Sequence, residues 1–251
     1  MFGIFLFFLD IMMKKIEIIE HRGGWCDSFE NVHIQDIQNS MKTFEKSFQR
    51  GNGIEFDIRD LNGVLVISHN MPTGEESRLE ELLKLYHKYK CSSSLAINIK
   101  SSELQGSLKS LLEKYKIKNY FTFDMSIPDT LKYMQAGLTF YIRHSEYESY
   151  HDPYLYEKAT GVWLDQFNEI SYNSSWQTRK ILEKHLRKDK KVVIVSPELH
   201  PWGRRPQDKL YQKVWSIYKE NFESLLLKNY NISKIAICTD FPEEAYQFFI
   251  G

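Results

Sequence analysis

The chain has 251 residues, of which 42% are hydrophobic and 26% charged, a composition typical of a single globular domain. Lysine plus arginine (33) balance aspartate plus glutamate (33), so no overall positive charge attracts nucleic acid or an anionic membrane. The cysteines Cys26, Cys91 and Cys238 lie far apart and form no CxxC pair. This spacing argues against a thiolate zinc site or a disulfide framework, and it fits a cytoplasmic protein.

Residues 1–9 are strongly apolar, but Asp10 interrupts them and Lys14-Lys15 follow. A membrane-spanning helix needs about 20 apolar residues, so we expect no integral membrane segment. The basic start and the cleavage site of a secretory signal are also missing. We interpret residues 1–13 as an apolar tail, or as an extension upstream of a start at Met12 or Met13, and we favour the extension. Residues 14–251 are predicted to form one domain.

Short apolar runs rich in β-forming residues alternate with helical patterns along the rest of the chain. The predicted strands are 16–20, 54–58, 95–99, 120–123, 139–142, 161–164, 192–195 and 235–238. The predicted helices are 34–50, 78–88, 103–116, 128–135, 176–188, 210–227 and 242–249. This alternation indicates an α/β fold in which eight parallel strands form a (β/α)8 TIM barrel. A further run at 64–68 follows Asn62-Gly63, which predicts a small β-hairpin insertion after strand 2.

Polar side chains stand at the ends of most predicted strands, where a (β/α)8 barrel carries its catalytic residues. They include His21, Arg22, Glu55, Asp57, His69, Asn98, Lys100, Asp124, Arg143, Asp165 and Asp240. Glu55 and Asp57 alternate along one strand, so their side chains share a face. Two adjacent carboxylates resist joint ionisation, and a bound divalent cation is the simplest relief. Carboxylate ligands suit Mg²⁺ or Ca²⁺ better than Zn²⁺.

Several of these residues belong to one ordered pattern. His21-Arg22-Gly23 is followed by Glu30-Asn31, by GIEFD at 53–57 and by NGVLVISH at 62–69. This order resembles the signature of the glycerophosphodiester phosphodiesterase family, within the PLC-like phosphodiesterase superfamily. Weaker similarity follows at 98–100 and at 237–242. The compound pattern is specific, although a single HRG would not be.

The resemblance implies a metal-dependent phosphodiesterase that acts on a small-molecule phosphodiester. His21 and His69 would be the general acid and base, and Arg22 and Lys100 would bind the phosphate. Glu55 and Asp57 would bind the divalent cation, Mg²⁺ or Ca²⁺. In addition, we expect Arg143, at the end of strand 5, to contact another group of the substrate.

Two positions depart from the family pattern. The family has His-Asp where this chain has His69-Asn70, and a third metal-binding carboxylate where this chain has Asn98. An amide oxygen can bind a hard cation but carries no charge. We therefore expect Asn98 and Asp124 to complete the metal site, with Asp165 as the next candidate.

A loop at 196–205 carries Glu198, His200, Arg204 and Arg205, which could select a substrate head group. Three alternative functions stay open. The first is a phospholipase D-like lyase that releases a cyclic phosphate. The second is a barrel that binds a glycerophosphate or sugar phosphate without turnover. The third is a role in cell-envelope or capsule polymers.

Overall fold

The computed structural model describes residues 13–24, 37–149, 152–168, 178–203 and 209–251. The motif Glu30-Asn31, residues 1–12 of the apolar tail, and Arg204 and Arg205 lie outside the described residues. Within them, no helix is both long and apolar enough to cross a membrane.

The described elements alternate between strands and helices along the chain. In order they are β1 (Glu17–His21), α1 (Met41–Arg50), β2 (Gly53–Leu61), β3 (Val64–Ile67), α2 (Leu79–Lys88), β4 (Leu95–Ile99), α3 (Gln105–Lys114), β5 (Tyr120–Phe123), α4 (Ile127–Gln135), β6 (Tyr141–His144), α5 (Pro153–Lys158), β7 (Gly161–Leu164), α6 (Arg179–Arg187), β8 (Lys191–Val195), α7 (Leu210–Leu227), β9 (Ile235–Thr239) and α8 (Pro242–Phe249). Short 3-10 turns occur at Pro197–Leu199 and Ile232–Lys234.

The strands form one sheet in the order β5-β4-β2-β1-β9-β8-β7-β6. The pairs β1–β2, β2–β4, β4–β5, β7–β8 and β8–β9 are parallel. Strand β3 pairs antiparallel with β2 and lies off this path. The predicted (β/α)8 TIM barrel, with its hairpin insertion after the second strand, is therefore confirmed.

The chain divides into two compact units, and each has its own apolar core. The unit of residues 19–141 is the first. In it, Ile54, Phe56 and Ile58 of β2 are buried in one cluster with Phe44 and Phe48 of α1. Because side chains alternate along a strand, the residues between these apolar positions on β2 face the opposite side. That side carries the polar residues described below.

The second unit holds residues 142–251 and the chain up to residue 18. Val162 of β7, Ile194 of β8 and Ile237 of β9 pack in one buried cluster with Trp215 and Phe222 of the long helix α7. The apolar runs that predict these strands are nearly continuous, as expected for parallel strands covered by helices.

The predicted helix 34–50 is wrong in one respect, because the chain leaves the helical path before Met41. Asn39 has a left-handed backbone, with φ of 58°. Ser40 is extended and caps α1, since its side-chain oxygen accepts a hydrogen bond from the Thr43 N–H. Residues 34–36 lie outside the described part of the chain. The helical spacing of Ile37, Met41 and Phe44 is therefore preserved across a break.

Several other elements differ from the predictions in their bounds, and one helix is additional. Strand β6 (Tyr141–His144) begins two residues after the predicted run 139–142, so Arg143 lies inside the strand and not after it. Helix α5 (Pro153–Lys158) was not predicted. Helices α7 and α8 have the predicted bounds.

Candidate active site

The centre of the candidate site is a pair of carboxylates on β2, in the unit of residues 19–141. Glu55 and Asp57 are 2% and 0% exposed. They alternate with the core residues Ile54, Phe56 and Ile58, so they share the face of the sheet that does not contact the α1 side chains. Two buried acids on one strand need compensating charge or hydrogen bonds, and the neighbouring strands provide both.

Strand β1 brings His21 and Arg22 to this pair. His21 is the Cα partner of Glu55 in the β1–β2 register, and its Nε2 lies 3.8 Å from Glu55 Oε2. Arg22 follows the strand with a left-handed backbone (φ 54°), and its backbone N–H donates to the Glu55 carbonyl at 2.9 Å. Its guanidinium Nε lies 3.2 Å from Asp57 Oδ2, and Nη1 donates to Gln38 Oε1 at 3.1 Å.

Asn39 belongs to the site, although its sequence position lies inside the predicted helix 34–50. Its side-chain amide donates to Asp57 Oδ2 at 3.0 Å, and its backbone N–H donates to the Arg22 carbonyl at 2.9 Å. Asparagine tolerates the left-handed backbone found here better than most residues do. An asparagine directly before a Ser N-cap was the sequence signal that could have identified this position.

Strand β4 contributes Asn98 and Lys100. Asn98 is the Cα partner of Asp57, and its amide nitrogen donates to Glu55 Oε1 at 3.3 Å. Lys100 directly follows the strand, and its Nζ lies 3.4 Å from Asp57 Oδ1. The structure therefore brings together six of the residues predicted for the site: His21, Arg22, Glu55, Asp57, Asn98 and Lys100.

The pKa of Glu55 reflects both the burial and the charges of this cluster. Burial raises the pKa of Glu55 to about 7, and the negative charge of Asp57 adds to this effect. The positive charges of His21, Arg22 and Lys100 act in the opposite direction without cancelling it. A further cation near Glu55 would favour its ionised form.

The oxygens of this cluster fit a hard cation. Asp57 Oδ1 and Asn98 Oδ1 are buried and have no hydrogen-bond partner in the part of the chain that the structure describes. The ion pair from Lys100 to Asp57 Oδ1, at 3.4 Å, lacks hydrogen-bond geometry. Carboxylate and amide oxygens are the ligands that Mg²⁺ and Ca²⁺ prefer. No group of three His, Cys, Asp or Glu residues that could hold a metal occurs among the described residues. The candidate metal ligands are therefore two carboxylates, Glu55 and Asp57, and one amide, Asn98.

His69 follows β3 and is exposed. Its Nδ1 lies 3.1 Å from Asn70 Oδ1, so the residue that replaces the expected aspartate does contact the imidazole. Arg59 connects this segment to β4, because its guanidinium donates to the His69 carbonyl at 3.0 Å and to the Lys100 carbonyl at 3.0 Å.

Asp124, the predicted additional metal ligand, directly follows β5, the strand beside β4. It is partly buried and has a left-handed backbone, with φ of 65°. In the β4–β5 register Phe123 is the Cα partner of Asn98, so Asp124 lies one residue further along the chain than the residue beside Asn98. Its place in a metal shell stays a prediction.

Arg143 lies in the other unit, where it forms an ion pair with Asp165. His200 Nε2 lies 2.7 Å from the second oxygen of the same carboxylate, and the Arg143 guanidinium carbon lies 5.3 Å from the centre of the Phe167 ring. Arg143 Nε is also 3.5 Å from Glu148 Oε2. Asp165, the alternative metal candidate, is thus engaged by an arginine and a histidine.

Glu198 is fully buried, in contrast to the expectation of a head-group contact on a loop. Its carboxylate accepts hydrogen bonds from the hydroxyls of Ser196 and Thr239 and, at 3.2 Å, from the Asp240 N–H. Trp215 of α7 donates to the Ser196 hydroxyl at 2.7 Å. Burial raises the pKa of Glu198 to about 7, while the two hydroxyl donors act against this shift. This network joins the ends of β8 and β9 to α7.

No protein-family model matches this sequence, and no curated protein matches it. Solved structures do share its fold. A glycerophosphodiester phosphodiesterase from Agrobacterium tumefaciens is 14% identical, with a TM-score of 0.60, over 94% of this chain and 100% of that one. One from Parabacteroides distasonis is 16% identical, with a TM-score of 0.60, over 94% and 97%. A phosphodiesterase from Oleispira antarctica, solved with the product sn-glycerol-3-phosphate, is 12% identical, with a TM-score of 0.61, over 94% and 97%. At these identities the likeness establishes the fold, and it agrees with the family resemblance found in the motifs.

Proposed function

We propose that this protein is a metal-dependent phosphodiesterase that hydrolyses a glycerophosphodiester to an alcohol and a phosphomonoester such as glycerol 3-phosphate. One observation carries the proposal: the buried pair Glu55 and Asp57 is surrounded by His21, Arg22 and Lys100. The similar barrels described as glycerophosphodiester phosphodiesterases support the substrate class. The sn-glycerol-3-phosphate bound to the Oleispira antarctica phosphodiesterase supports the product.

The oxygens of Glu55, Asp57 and Asn98 would hold the divalent cation, Mg²⁺ or Ca²⁺, with Asp124 as a further candidate ligand. When bound, such a cation supplies positive charge to the phosphoryl oxygens, whose negative charge grows as the diester is attacked. The two oxygens without hydrogen-bond partners, on Asp57 and Asn98, support this assignment.

Arg22 and Lys100 would bind the phosphate. Both side chains lie against Asp57, at 3.2 and 3.4 Å, so their positive groups are already directed to the carboxylate cluster. Arginine can donate two parallel hydrogen bonds to phosphate oxygens, whereas lysine acts as a compact charge. Arg143 stays a proposed contact to another part of the substrate.

His21 and His69 would perform the proton transfers. One accepts the proton of the attacking hydroxyl, which belongs to water or to the neighbouring glycerol hydroxyl, and the other donates a proton to the leaving alkoxide. The contact from Asn70 Oδ1 to Nδ1 of His69 fits a tautomer with a proton on Nδ1, because the amide oxygen accepts. Nε2 of His69 is then the nitrogen available for proton exchange.

The partner in this proposal is a small molecule and not a nucleic acid, since the net charge is zero. We also propose a cytoplasmic location. Cys91 and Cys238 are free thiols, which is usual in a reducing compartment.

A chromogenic diester such as bis(p-nitrophenyl) phosphate tests the proposal. We expect hydrolysis that EDTA abolishes and that Mg²⁺ or Ca²⁺ restores. Asp57→Asn should lower the rate by about 10²-fold or more, because it removes the negative charge that is a partner of both the metal and Arg22. EDTA-resistant hydrolysis, or an Asp57→Asn rate close to wild type, would contradict the proposal.

Asn98 favours one alternative, a barrel that binds a glycerophosphate without turnover, because an uncharged residue replaces an expected metal ligand. The diester assay, combined with calorimetry, separates the enzyme from the binding protein. A protein that binds glycerol 3-phosphate in calorimetry but hydrolyses no diester at any metal concentration would be a binding protein.

A further inference from the structure

Asp57 has two competing tasks in the proposed site. It is an expected ligand of the divalent cation, yet its two oxygens already lie 3.2 Å from Arg22 Nε and 3.4 Å from Lys100 Nζ. Asn39 adds a hydrogen bond of 3.0 Å to Oδ2. The side chains expected to bind the phosphate are therefore paired with a side chain expected to bind the metal.

The formal charges of the cluster cancel. With the His21 imidazole neutral and both carboxylates ionised, Glu55 and Asp57 contribute two negative charges, and Arg22 and Lys100 contribute two positive charges, which leaves zero. Asn98 is neutral, and its amide nitrogen donates to Glu55 Oε1 at 3.3 Å. A divalent cation that enters alone would thus add two positive charges to a cluster whose carboxylates are already compensated.

A phosphate anion changes this balance. It offers Arg22 and Lys100 a second negative partner, and it contributes negative charge to the same buried surroundings. Asp57 is then less fully compensated and available to a cation. In the other direction, a bound cation occupies Asp57 and directs both basic side chains to the anion.

We propose that the divalent cation and the phosphate group bind this site cooperatively, each raising the affinity for the other, and that the neutral Asn98 is the residue that makes metal binding depend on the anion. This inference rests on the proposed function, because it concerns the same residues. Thermodynamic linkage requires that the factor be equal in both directions.

Calorimetric titration of Mg²⁺ into the full chain, with and without saturating sn-glycerol 3-phosphate, measures the coupling. The heat released when Mg²⁺ is titrated into the same anion solution without protein is measured separately and subtracted. We expect the metal affinity to rise about 10-fold or more with the anion, within the usual range of coupling between sites. The reverse titration, anion with and without Mg²⁺, should give the same factor. Equal affinities in the two conditions would overturn the inference.

Two variants test the assigned residues. Asn98→Asp supplies a carboxylate at the Cα partner position of Asp57. It should bind Mg²⁺ alone about 10-fold more tightly, and the coupling should shrink. Lys100→Met removes a competitor from Asp57, so it should strengthen binding of Mg²⁺ alone while it weakens binding of the anion. A purely structural role for Lys100 would not produce these opposite changes.

Lys88→Met is the matched control, because Lys88 also pairs with a carboxylate, Glu45, but on the exposed surface. Its affinities for both ligands should equal those of the wild type. If Asn98→Asp does not fold, Lys100→Met carries the test alone, and unchanged metal binding in that variant overturns the inference.

The outcomes separate this inference from the proposed function. Tight Mg²⁺ binding without the anion, with no coupling, overturns cooperativity and leaves a metal-dependent phosphodiesterase intact. If neither Mg²⁺ nor Ca²⁺ binds in any condition, the metal site itself is wrong, and both proposals fail.

Discussion

At the scale of single residues, Asp57 is one of the two buried carboxylates at the centre of the candidate site. It is fully buried, and its carboxylate contacts Arg22, Asn39 and Lys100, which come from three different parts of the chain. Removing one partner of such a group leaves charge or hydrogen-bonding capacity without compensation. The chemistry proposed for this protein therefore depends on few side chains, and single substitutions can test it.

The two histidines are the first test. His21→Ala and His69→Ala should each lower the rate of diester hydrolysis by about 10²- to 10⁴-fold, the usual contribution of general acid–base catalysis. The His69 ring is exposed and the His21 ring is partly exposed, so neither substitution opens a cavity in the apolar core, and urea unfolding should change little. A His21→Ala protein that keeps most of its activity and is correctly folded would rule out the proposed proton transfer.

Asn39 offers a sharper test, because its backbone and side chain can be separated. Asn39→Gly keeps the left-handed backbone accessible but removes the hydrogen bond to Asp57. We expect about 10- to 100-fold lower activity or metal affinity, as is typical when a residue that orients a metal ligand is lost. Asn39→Ala should show the same loss and also lower stability, because alanine resists this backbone conformation. Wild-type kinetics in Asn39→Gly would show that the amide has no part in the site.

The sequence identifies most of the candidate site but not Asn39. His21, Arg22, Glu55, Asp57, Asn98 and Lys100 stand at or near the ends of apolar strands, a position that is visible in the local pattern. Asn39 is hidden because the apolar residues on either side of it keep helical spacing. The pairing of Arg143 with Asp165 was also not predicted, since it joins residues of different strands.

At the scale of elements, the end of β1 is attached to α1 by a buried carboxylate. Glu20 accepts hydrogen bonds from Ser47 and from Asn52, each at 2.7 Å, and Arg50 lies 3.5 Å away. The Gly24 N–H donates to the Ser47 hydroxyl at 3.0 Å. These contacts hold the chain on both sides of His21 and Arg22 against α1 and against the residues at the C-terminal end of that helix.

Gly23 should be intolerant of substitution for two reasons. Its φ is 84°, and a Cβ there would lie 2.6 Å from Thr43 Oγ1, which is buried and donates to the Ser40 carbonyl at 2.8 Å. Gly51 shares the backbone conformation (φ 77°) but has open space around it. Gly51→Ala should therefore cost about 1–2 kcal/mol of unfolding free energy. Gly23→Ala should cost about 1–3 kcal/mol more, from overpacking.

Urea denaturation of both variants measures this difference. Equal losses of stability in Gly23→Ala and Gly51→Ala would show that the turn adjusts freely and does not hold the candidate site in place.

A repeated contact connects consecutive helices of the same unit. The Lys88-Tyr89 end of α2 binds Glu45 of α1, with the tyrosine hydroxyl at 2.6 Å. The Lys114-Tyr115 end of α3 binds Glu80 of α2 in the same way, at 2.8 Å. The helices themselves follow from amphipathic spacing, whereas these contacts depend on how neighbouring helices pack. Helix α5 was not predicted because six residues carry too little periodicity.

At the scale of the whole molecule, strand–helix alternation was sufficient to predict the barrel, because short apolar runs separated by helices leave few alternatives. The sequence does not show that the residues divide between two cores, since that depends on which elements pack together. It also gives no sign that Glu198, in a polar SPELH run, is fully buried.

Glu198 makes global stability depend on pH. Its pKa is raised from 4.5 to about 7 in the folded protein, so the folded state binds its proton more tightly than the unfolded chain does. Its effect on stability is therefore favourable near pH 4.5 and is lost as the pH rises to about 7. The largest change expected is about 3 kcal/mol.

Comparison with Glu198→Gln isolates this effect, because other titrating groups cancel in the difference. The unfolding free energy of the wild type relative to the variant should fall between pH 5 and pH 8. A difference that stays constant over this range would mean that the Ser196 and Thr239 donors keep Glu198 ionised throughout.

We propose that the buried carboxylate pair supports metal-dependent hydrolysis of a glycerophosphodiester. The most direct test is ³¹P NMR of sn-glycero-3-phosphocholine incubated with the purified protein and Mg²⁺ or Ca²⁺, with an EDTA control. We predict that the diester signal is replaced by that of glycerol 3-phosphate, and that EDTA prevents this. A stable cyclic phosphate as the end product would indicate a lyase, and an unchanged diester signal with either metal, for this and other glycerophosphodiesters, would contradict the claim.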